Sequence, residues 1–597
     1  MRMMNGRAPA TTIRTRLSCG LVVGLGLLGS ACGGGGGGPT GAAGVGGAGG
    51  GTGGAGPCAA LLPLERRVWR LSPEHWGSAV KDLLGLAAAP VLNNRGGQAA
   101  YAFFGDATLD VDENFQYALY QAAQSEVLPE IAPRITQIAP CSDTTAAAQA
   151  ACAQTFAETF GKKAFRRPLD ATEVSRLMAV YTQGAMQSYD AAIALMVQAV
   201  IISPSFVYRT ELGPPTSADP TGKFPDTTLT PHEIASQLGF LFLGSLPDAE
   251  LTAAADDGRL ATATGVSAQI DRLLALPAVE QHLTGIVIDW FNIRQMLEKT
   301  KNTGLFSTIA PIDRDQAAIA SELLTSARQV VTDTLWTNAA GTIDQLFTSQ
   351  TMFANRRLAG LFPGLAFAGA PPTSDTTFVK ATWPASEGRA GMLTHPGVLW
   401  SASDPDLTSI VKRGKFIHDD VMCQDALPPP VDLTTPSALN VIACKSPDGV
   451  TALSTCDSEV LQSDARMMYA PCKNCHLQID PYARAVMSFG PIGNYRAVDE
   501  TGRPIEPAVT FPDGSPLGSQ TVTGAVAFGQ ALVDAGIARG CAVQKVASYA
   551  IGSMLRKYNT CELNDIRAQV QADGTIKSLF RQVALANFLR TRAGGEL

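Results

Sequence analysis

The stretch best suited to specific chemistry is Cys472-Lys473-Asn474-Cys475-His476. Two thiols separated by two residues match the spacing of the two vinyl groups of haem, across which they add as thioethers. The adjoining imidazole then lies under the iron as its proximal ligand. A chain of this composition holds roughly 0.002 such patterns by chance. The expectation is haem c, an iron porphyrin held covalently by Cys472 and Cys475 and ligated by His476. Two other chemistries use the same thiols. A redox-active disulfide is one, but that motif opens a helix after a buried strand, and no βαβ pattern precedes it here. Half of a zinc site is the other, but no second closely spaced Cys/His pair accompanies it. For the sixth iron position the side chains to consider are His395, Met487, Met467 and Met468. A Met ligand raises the potential, whereas an open position admits a small molecule. Each of the four also reads as an ordinary core or loop residue.

Other chemistry-bearing residues carry weaker signals. His232-Glu233 lacks the second His of a zinc protease, and a helix start accounts for it. Asp106, Asp110, Asp112 and Glu113 lack the spacing of a calcium loop. Arg166-Arg167-Pro168 suits an anion, a haem propionate or a structural ion pair. There is no Gly-rich phosphate loop and no nucleophile elbow. Net charge is -7, without a long basic run after the first 20 residues, which argues against nucleic acid.

A chain of 597 residues exceeds one hydrophobic core, so several domains are expected. Arg2, Arg7, Arg14 and Arg16 precede the apolar stretch Leu17 to Ala31, which reads as an export signal too short to span a bilayer. It ends in Leu28-Gly29-Ser30-Ala31-Cys32, similar to the cleavage box of bacterial lipoproteins, with the Leu one place early. Cys32 is the expected lipidation site. Gly33 to Pro57 is nearly all Gly, Ala and Thr and reads as a flexible tether. Gly33 is not the Asp that retains lipoproteins at the inner membrane, so the outer membrane is expected. Cys58, Cys141, Cys152, Cys423, Cys444, Cys456, Cys541 and Cys561 remain as an even set suited to disulfides outside the cytoplasm. The close pairs are Cys141 with Cys152 and Cys541 with Cys561; Cys423, Cys444 and Cys456 form a third group, with Cys58 as a fourth member.

Helical signals dominate the rest. Ser72-Pro73 reads as a helix start, and Asp170 to Glu173 and Thr230 to Glu233 have capping-box spacing. Ala191 to Ile202 is a buried helix ended by Pro204. Further helical periods cover 266–276, 282–296, 312–336 and 544–557, and 509–522 reads as a hairpin. Leu427 to Pro430 is a stiff connector. The fold expected is mainly α and multidomain, with a cytochrome-c-like haem segment and a small β hairpin. Its divisions are 1–32 signal, 33–57 linker, and domains over 58–140, 141–220, 221–370, 371–524 and 525–597.

The order of motifs is familiar. Val68-Trp69-Arg70-Leu71-Ser72-Pro73-Glu74-His75-Trp76, followed by Val80-Lys81-Asp82-Leu83-Leu84-Gly85, resembles domain-of-unknown-function family 1587. Ala164-Phe165-Arg166-Arg167-Pro168-Leu169 with Ser203-Pro204-Ser205-Phe206-Val207-Tyr208-Arg209 resembles family 1595. Leu229 through Leu243-Gly244-Ser245-Leu246-Pro247-Asp248 to Leu251 is similar to family 1592. Arg389-Ala390-Gly391-Met392-Leu393-Thr394-His395, Lys412-Arg413-Gly414-Lys415, Pro428-Pro429-Pro430 and the haem motif resemble family 1588. Tyr549-Ala550-Ile551-Gly552 and the last helix resemble family 1585. The resemblance implies large exported bacterial proteins, often lipoproteins, with cytochrome-c-like haem motifs. It implies little about reaction. Asp480, Pro481, Phe489, Gly493 and Arg496 keep the pattern that follows the haem motif; Ala483, Met487 and Gly490 depart from it.

The functional expectation is a cell-envelope c-type haem protein that transfers electrons, or does haem-dependent redox chemistry, with a redox partner or substrate. A haem enzyme acting on peroxide or an organic molecule is a variant of this. The alternative is a surface-anchored binding or scaffold lipoprotein in which the Cys-x-x-Cys-His is structural or a disulfide.

Overall fold

Trp69 and its neighbours open the body as a strand: β1 (Arg67–Arg70) pairs antiparallel with β2 (Tyr208–Glu211), Val68 opposite Thr210. The Ser72 hydroxyl then accepts the His75 N–H, Pro73 fills the first turn, and helix α1 (Pro73–Leu84) runs to Gly85 at φ +60°. The computed structural model describes residues 63–93, 110–218, 220–221, 223–337, 341–425, 432, 434–453, 456–470, 472–553 and 560–594. The signal segment, Cys32, the Gly-rich linker, Cys58, Asp106 and the Leu427 to Pro430 connector lie outside these residues.

Helices α2 (Ala146–Phe165), α3 (Ala171–Ala185) and α4 (Tyr189–Ile201) pack with α1 around a first core that includes Trp76, Phe160, Tyr181, Ile193 and Phe206. The capping box at Asp170 and Glu173 starts α3. Arg166, at φ +60° after α2, is buried and donates to the carbonyls of Ala164, Ser205, Phe206 and Tyr208. Arg167 is bidentate to Glu173 at 2.8 Å on both arms. The Arg-Arg-Pro motif is thus spent on structure.

Strand β3 (Thr227–Thr228) leads into α5 (Pro231–Phe242), whose Thr230 and Glu233 form the expected capping box. Glu233 also accepts the N–H groups of Leu212 and Gly213. After α6 (Ala263–Leu273), the helix expected over 282–296 is α7 (Pro277–Trp290); Asn292 at φ +55° breaks it, and the chain continues as a 3₁₀ turn over Ile293–Glu298. Helix α8 (Gln316–Thr332) ends in a π turn, Asp333–Thr337. A three-stranded sheet follows, β4 (Thr351–Ala354), β5 (Ala366–Phe367) and β6 (Val379–Thr382), with β6 central. Next come α9 (Pro396–Ser401), α10 (Ile410–Phe416), α11 (Glu459–Met468) and α12 (Lys473–Arg484). The expected hairpin is β7 (Ala508–Thr510) with β8 (Thr521–Thr523). Helices α13 (Gly524–Asp534), α14 (Ile537–Ile551), α15 (Thr560–Asp573) and α16 (Ile576–Leu585) follow, a last helical turn covers Asn587–Arg590, and β9 (Thr591–Arg592) returns to pair with β3.

A second core runs through Leu241, Trp290, Phe347, Trp400, Phe528 and Phe580, so the last helices share an interior with the 221–370 region. His75 on α1, His282 on α7 and Tyr549 on α14 meet as well: the Tyr549 Oη lies 3.2 Å from His75 Nε2 and 3.5 Å from His282 Nε2. Glu211 lies fully buried between Arg67, Arg209 and Arg592 and also accepts from Trp69 and Gln237. No single helix among the described residues is long and apolar enough to cross a membrane.

Disulfides join Cys141 to Cys152, Cys444 to Cys456 and Cys423 to Cys541. The first is as expected. The expected Cys541–Cys561 bond is not made. Cys541 lies ten residues short of the end of α14, roughly 15 Å along its axis, and Cys561 opens the next helix beyond that end. Cys541 instead faces Cys423, with Cα atoms 5.3 Å apart. Cys561 is disulfide-bonded too.

Candidate functional site: the Cys-x-x-Cys-His helix

Three helices fix the motif. Helix α10 crosses α12 so closely that a Cβ on Gly414 would stand 2.4 Å from the Ile479 carbonyl oxygen. Arg413, 1% exposed, donates to the carbonyls of Val486 (3.2 Å), Phe489 (2.6 Å) and Gly490 (2.7 Å) and to Ser403 Oγ (3.0 Å). It thereby ties the turn after α12 to α10 and gives the Lys-Arg-Gly-Lys motif its physical content. Helix α11 packs along α12 from another side and supplies Ser463 and Arg466.

Cys472 is the N-cap of α12, and the His476 N–H closes the first turn on the Cys472 carbonyl at 3.1 Å. Cys472 is buried and Cys475 half-buried, and both are free thiols; every other cysteine among the described residues is disulfide-bonded. Burial pushes the Cys472 thiol up. That is the reverse of what a nucleophilic Cys-x-x-Cys needs, and a helix precedes the motif where an oxidoreductase has a strand.

His476 Nδ1 lies 2.9 Å from Asp480 Oδ1, one turn on along the same helix. A carboxylate only accepts, so Nδ1 carries the proton and the Nε2 lone pair is left for a metal. Asp480 is fully buried, and its second oxygen accepts from Ser463 Oγ at 2.7 Å, with Arg466 Nε at 3.9 Å. Ser463 Oγ in turn accepts from Arg484 Nε at 3.2 Å. Two free thiols and an imidazole held in the ligating tautomer fit a covalently attached haem.

The side chains considered for the sixth position lie in different settings. His395 is buried and caps α9, its Nδ1 accepting the Gly397 N–H at 3.1 Å. The neutral ring therefore carries its proton on Nε2, a buried atom without a hydrogen-bond partner among the described residues. Burial and then Arg389 lower its pKa to about 3. Met487 is packed against Ile410 and Ala483, beyond the end of α12. Met467 lines a cavity of about 350 Å³ with Val460, Leu461, Leu477 and Met487, while Met468 is exposed at the end of α11. A second cavity, about 440 Å³, is lined by His418, Asn474, Gln478 and Tyr482. Asn474 and Gln478 each stand two residues from His476, on the opposite side of α12. His232 pairs with Asp256 at 3.1 Å, and Asp112 caps a helix through the Phe115 N–H.

Sequence reading places Asp480 in the pattern that follows the haem motif but not as the partner of His476. Its spacing of four from His476 places both on one helix face and was the available signal. Ser463 and Arg466 have no such signal, because α11 meets α12 only in the fold.

Four family models match the chain in series. Residues 152–211 match Protein of unknown function (DUF1595), 229–363 match Protein of unknown function (DUF1592), 389–499 match Protein of unknown function (DUF1588) and 518–587 match Protein of unknown function (DUF1585). They support four of the five modules read from the motifs, all but 1587, and the Cys-x-x-Cys-His helix falls within the DUF1588 match. No curated protein matches the chain, and no solved structure does.

Proposed function

We propose that this chain is a cell-envelope c-type haem protein that moves electrons between a bound haem and a redox partner or substrate. The observation that carries the reading is the pair of free thiols beside an imidazole whose Nδ1–H is held by Asp480, in a chain whose other described cysteines are oxidised. Cys472 and Cys475 would hold the porphyrin, each thiol adding its sulfur to one vinyl carbon and its hydrogen to the other. His476 would hold the iron, which supplies one-electron chemistry when bound. Disulfides persist outside reducing compartments, which supports export, and the sequence from Arg2 to Pro57 supports a lipid anchor at Cys32 and a tether to the outer membrane. The resting sixth ligand is proposed to come from outside His395, whose accepting Nδ1 leaves no lone pair on Nε2.

The test is the absorption spectrum of reduced haem remaining on the denatured, acid–acetone-extracted protein, expressed with haem-attachment machinery. Retained haem that is lost in Cys472→Ala/Cys475→Ala supports the reading. Absence of covalent haem, where a control cytochrome matures, leaves a disulfide-stabilised scaffold protein as the account.

A further inference from the structure

We propose that Asp480 is a positioning residue for the iron ligand: it draws the His476 imidazole toward imidazolate and so lowers the potential of haem held at Cys472 and Cys475. The inference rests on the haem reading. An accepting carboxylate makes a ligating imidazole more basic, and a more electron-rich ligand favours ferric over ferrous iron. The 2.9 Å contact puts that carboxylate on Nδ1, and the complete burial of Asp480 keeps its charge from being screened by salt. Both residues belong to α12, four positions apart, so the helix keeps their side chains on one face.

The same geometry contains a counterweight. Ser463 donates to Asp480 Oδ2 and itself accepts from Arg484, and Arg466 stands 3.9 Å from that oxygen. These groups pull charge off the carboxylate and away from the imidazole. Removing the carboxylate and removing its serine donor therefore move the iron in opposite directions, a signature that loss of packing does not produce.

The experiment is a spectroelectrochemical titration of the full-length, haem-loaded protein and of Asp480→Asn and Ser463→Ala. Asp480→Asn is expected to shift the ferric/ferrous equilibrium tenfold or more toward ferrous, about 59 mV upward for one electron. Ser463→Ala is expected to shift the potential downward. Unchanged potentials in haem-loaded variants overturn the proposal and leave the haem reading intact. If Asp480→Asn does not fold, the sign for Ser463→Ala decides alone, and no shift or an upward shift overturns the proposal. A wild-type protein without covalent haem overturns both.

Discussion

Cys423 and Cys541 are 118 residues apart in sequence, yet their Cα atoms lie 5.3 Å apart and their sulfurs are bonded. The loop they close contains α11, α12 and the whole Cys-x-x-Cys-His motif. Closing a loop of that length removes unfolded-state entropy worth roughly 4–5 kcal/mol. Cys423→Ser/Cys541→Ser should therefore lose roughly 2–5 kcal/mol. The Cys141–Cys152 bond closes only a short loop, 11 residues in separation, so Cys141→Ser/Cys152→Ser should lose less. Denaturant midpoints of the two double variants, side by side, check the order.

Gly414 and Arg413 predict a second effect. A methyl group on Gly414 meets the Ile479 carbonyl of α12, so Gly414→Ala should cost about 1–3 kcal/mol through overpacking. Arg413→Lys keeps the charge but has no planar fork to serve three carbonyls at once, so it should also destabilise. Both changes should lower the yield of protein carrying covalent haem, read as the ratio of haem to protein absorbance. An unchanged ratio would show that the α10–α12 contact does not prepare the motif.

Acid should unfold the protein in two stages. Burial, followed by nearby cations, lowers His395 and His75 to about 3 and His282 to about 4. As pH falls below the ordinary 6.5, the unfolded chain takes up these protons first, so stability declines from 6.5 down to about 3, His282 completing its share near 4. Glu211 behaves differently. Burial alone would raise its pKa, but Arg67, Arg592 and Arg209 outweigh it and hold the carboxyl far below its ordinary 4.5. Its stabilising contribution is complete above 4.5 and is lost as pH falls below that value. Urea midpoints measured from pH 8 to 3 should show both stages. Glu211→Gln should abolish the lower one while costing roughly 3–5 kcal/mol at neutral pH, because three arginines lose their counter-charge.

Met487 should behave as a packing residue. Its side chain is 1% exposed against Ile410 and Ala483. Met487→Leu conserves volume and should cost less than about 1.5 kcal/mol while leaving the spectrum of the attached haem unchanged. A changed axial-ligand spectrum would place the thioether on the iron.

Much of the helical architecture is legible locally. Ser72-Pro73, Asp170 with Glu173 and Thr230 with Glu233 act as caps because each needs only groups three residues away. Helix ends were harder: Asn292 in the left-handed region and the π turn at Asp333 depend on tertiary packing that no local pattern records. Long-range pairings were invisible for the same reason. β1 meets β2 across more than a hundred residues, and proximity in sequence pointed Cys541 to the wrong partner. At the candidate site, the thiols and His476 declare themselves by spacing. The Asp480 hydrogen bond follows once the segment is helical, whereas Ser463, Arg466 and the Gly414 crossing require knowing which helices touch.

The contact between Glu211 and Arg592 spans 381 positions, and both side chains are fully buried. It bears on the order in which the parts of the fold become available as the chain emerges. At about 5–20 residues per second, roughly 20 to 80 s separate the appearance of the carboxylate from that of this guanidinium. In that interval β2 and β3 lack part of their final surroundings, since β9 has not been made. Arg67, Trp69 and Arg209 can meet Glu211 as the first core assembles, but its Arg592 partner and the strand that pairs β3 arrive only with β9, which makes that strand the last piece to lock the fold.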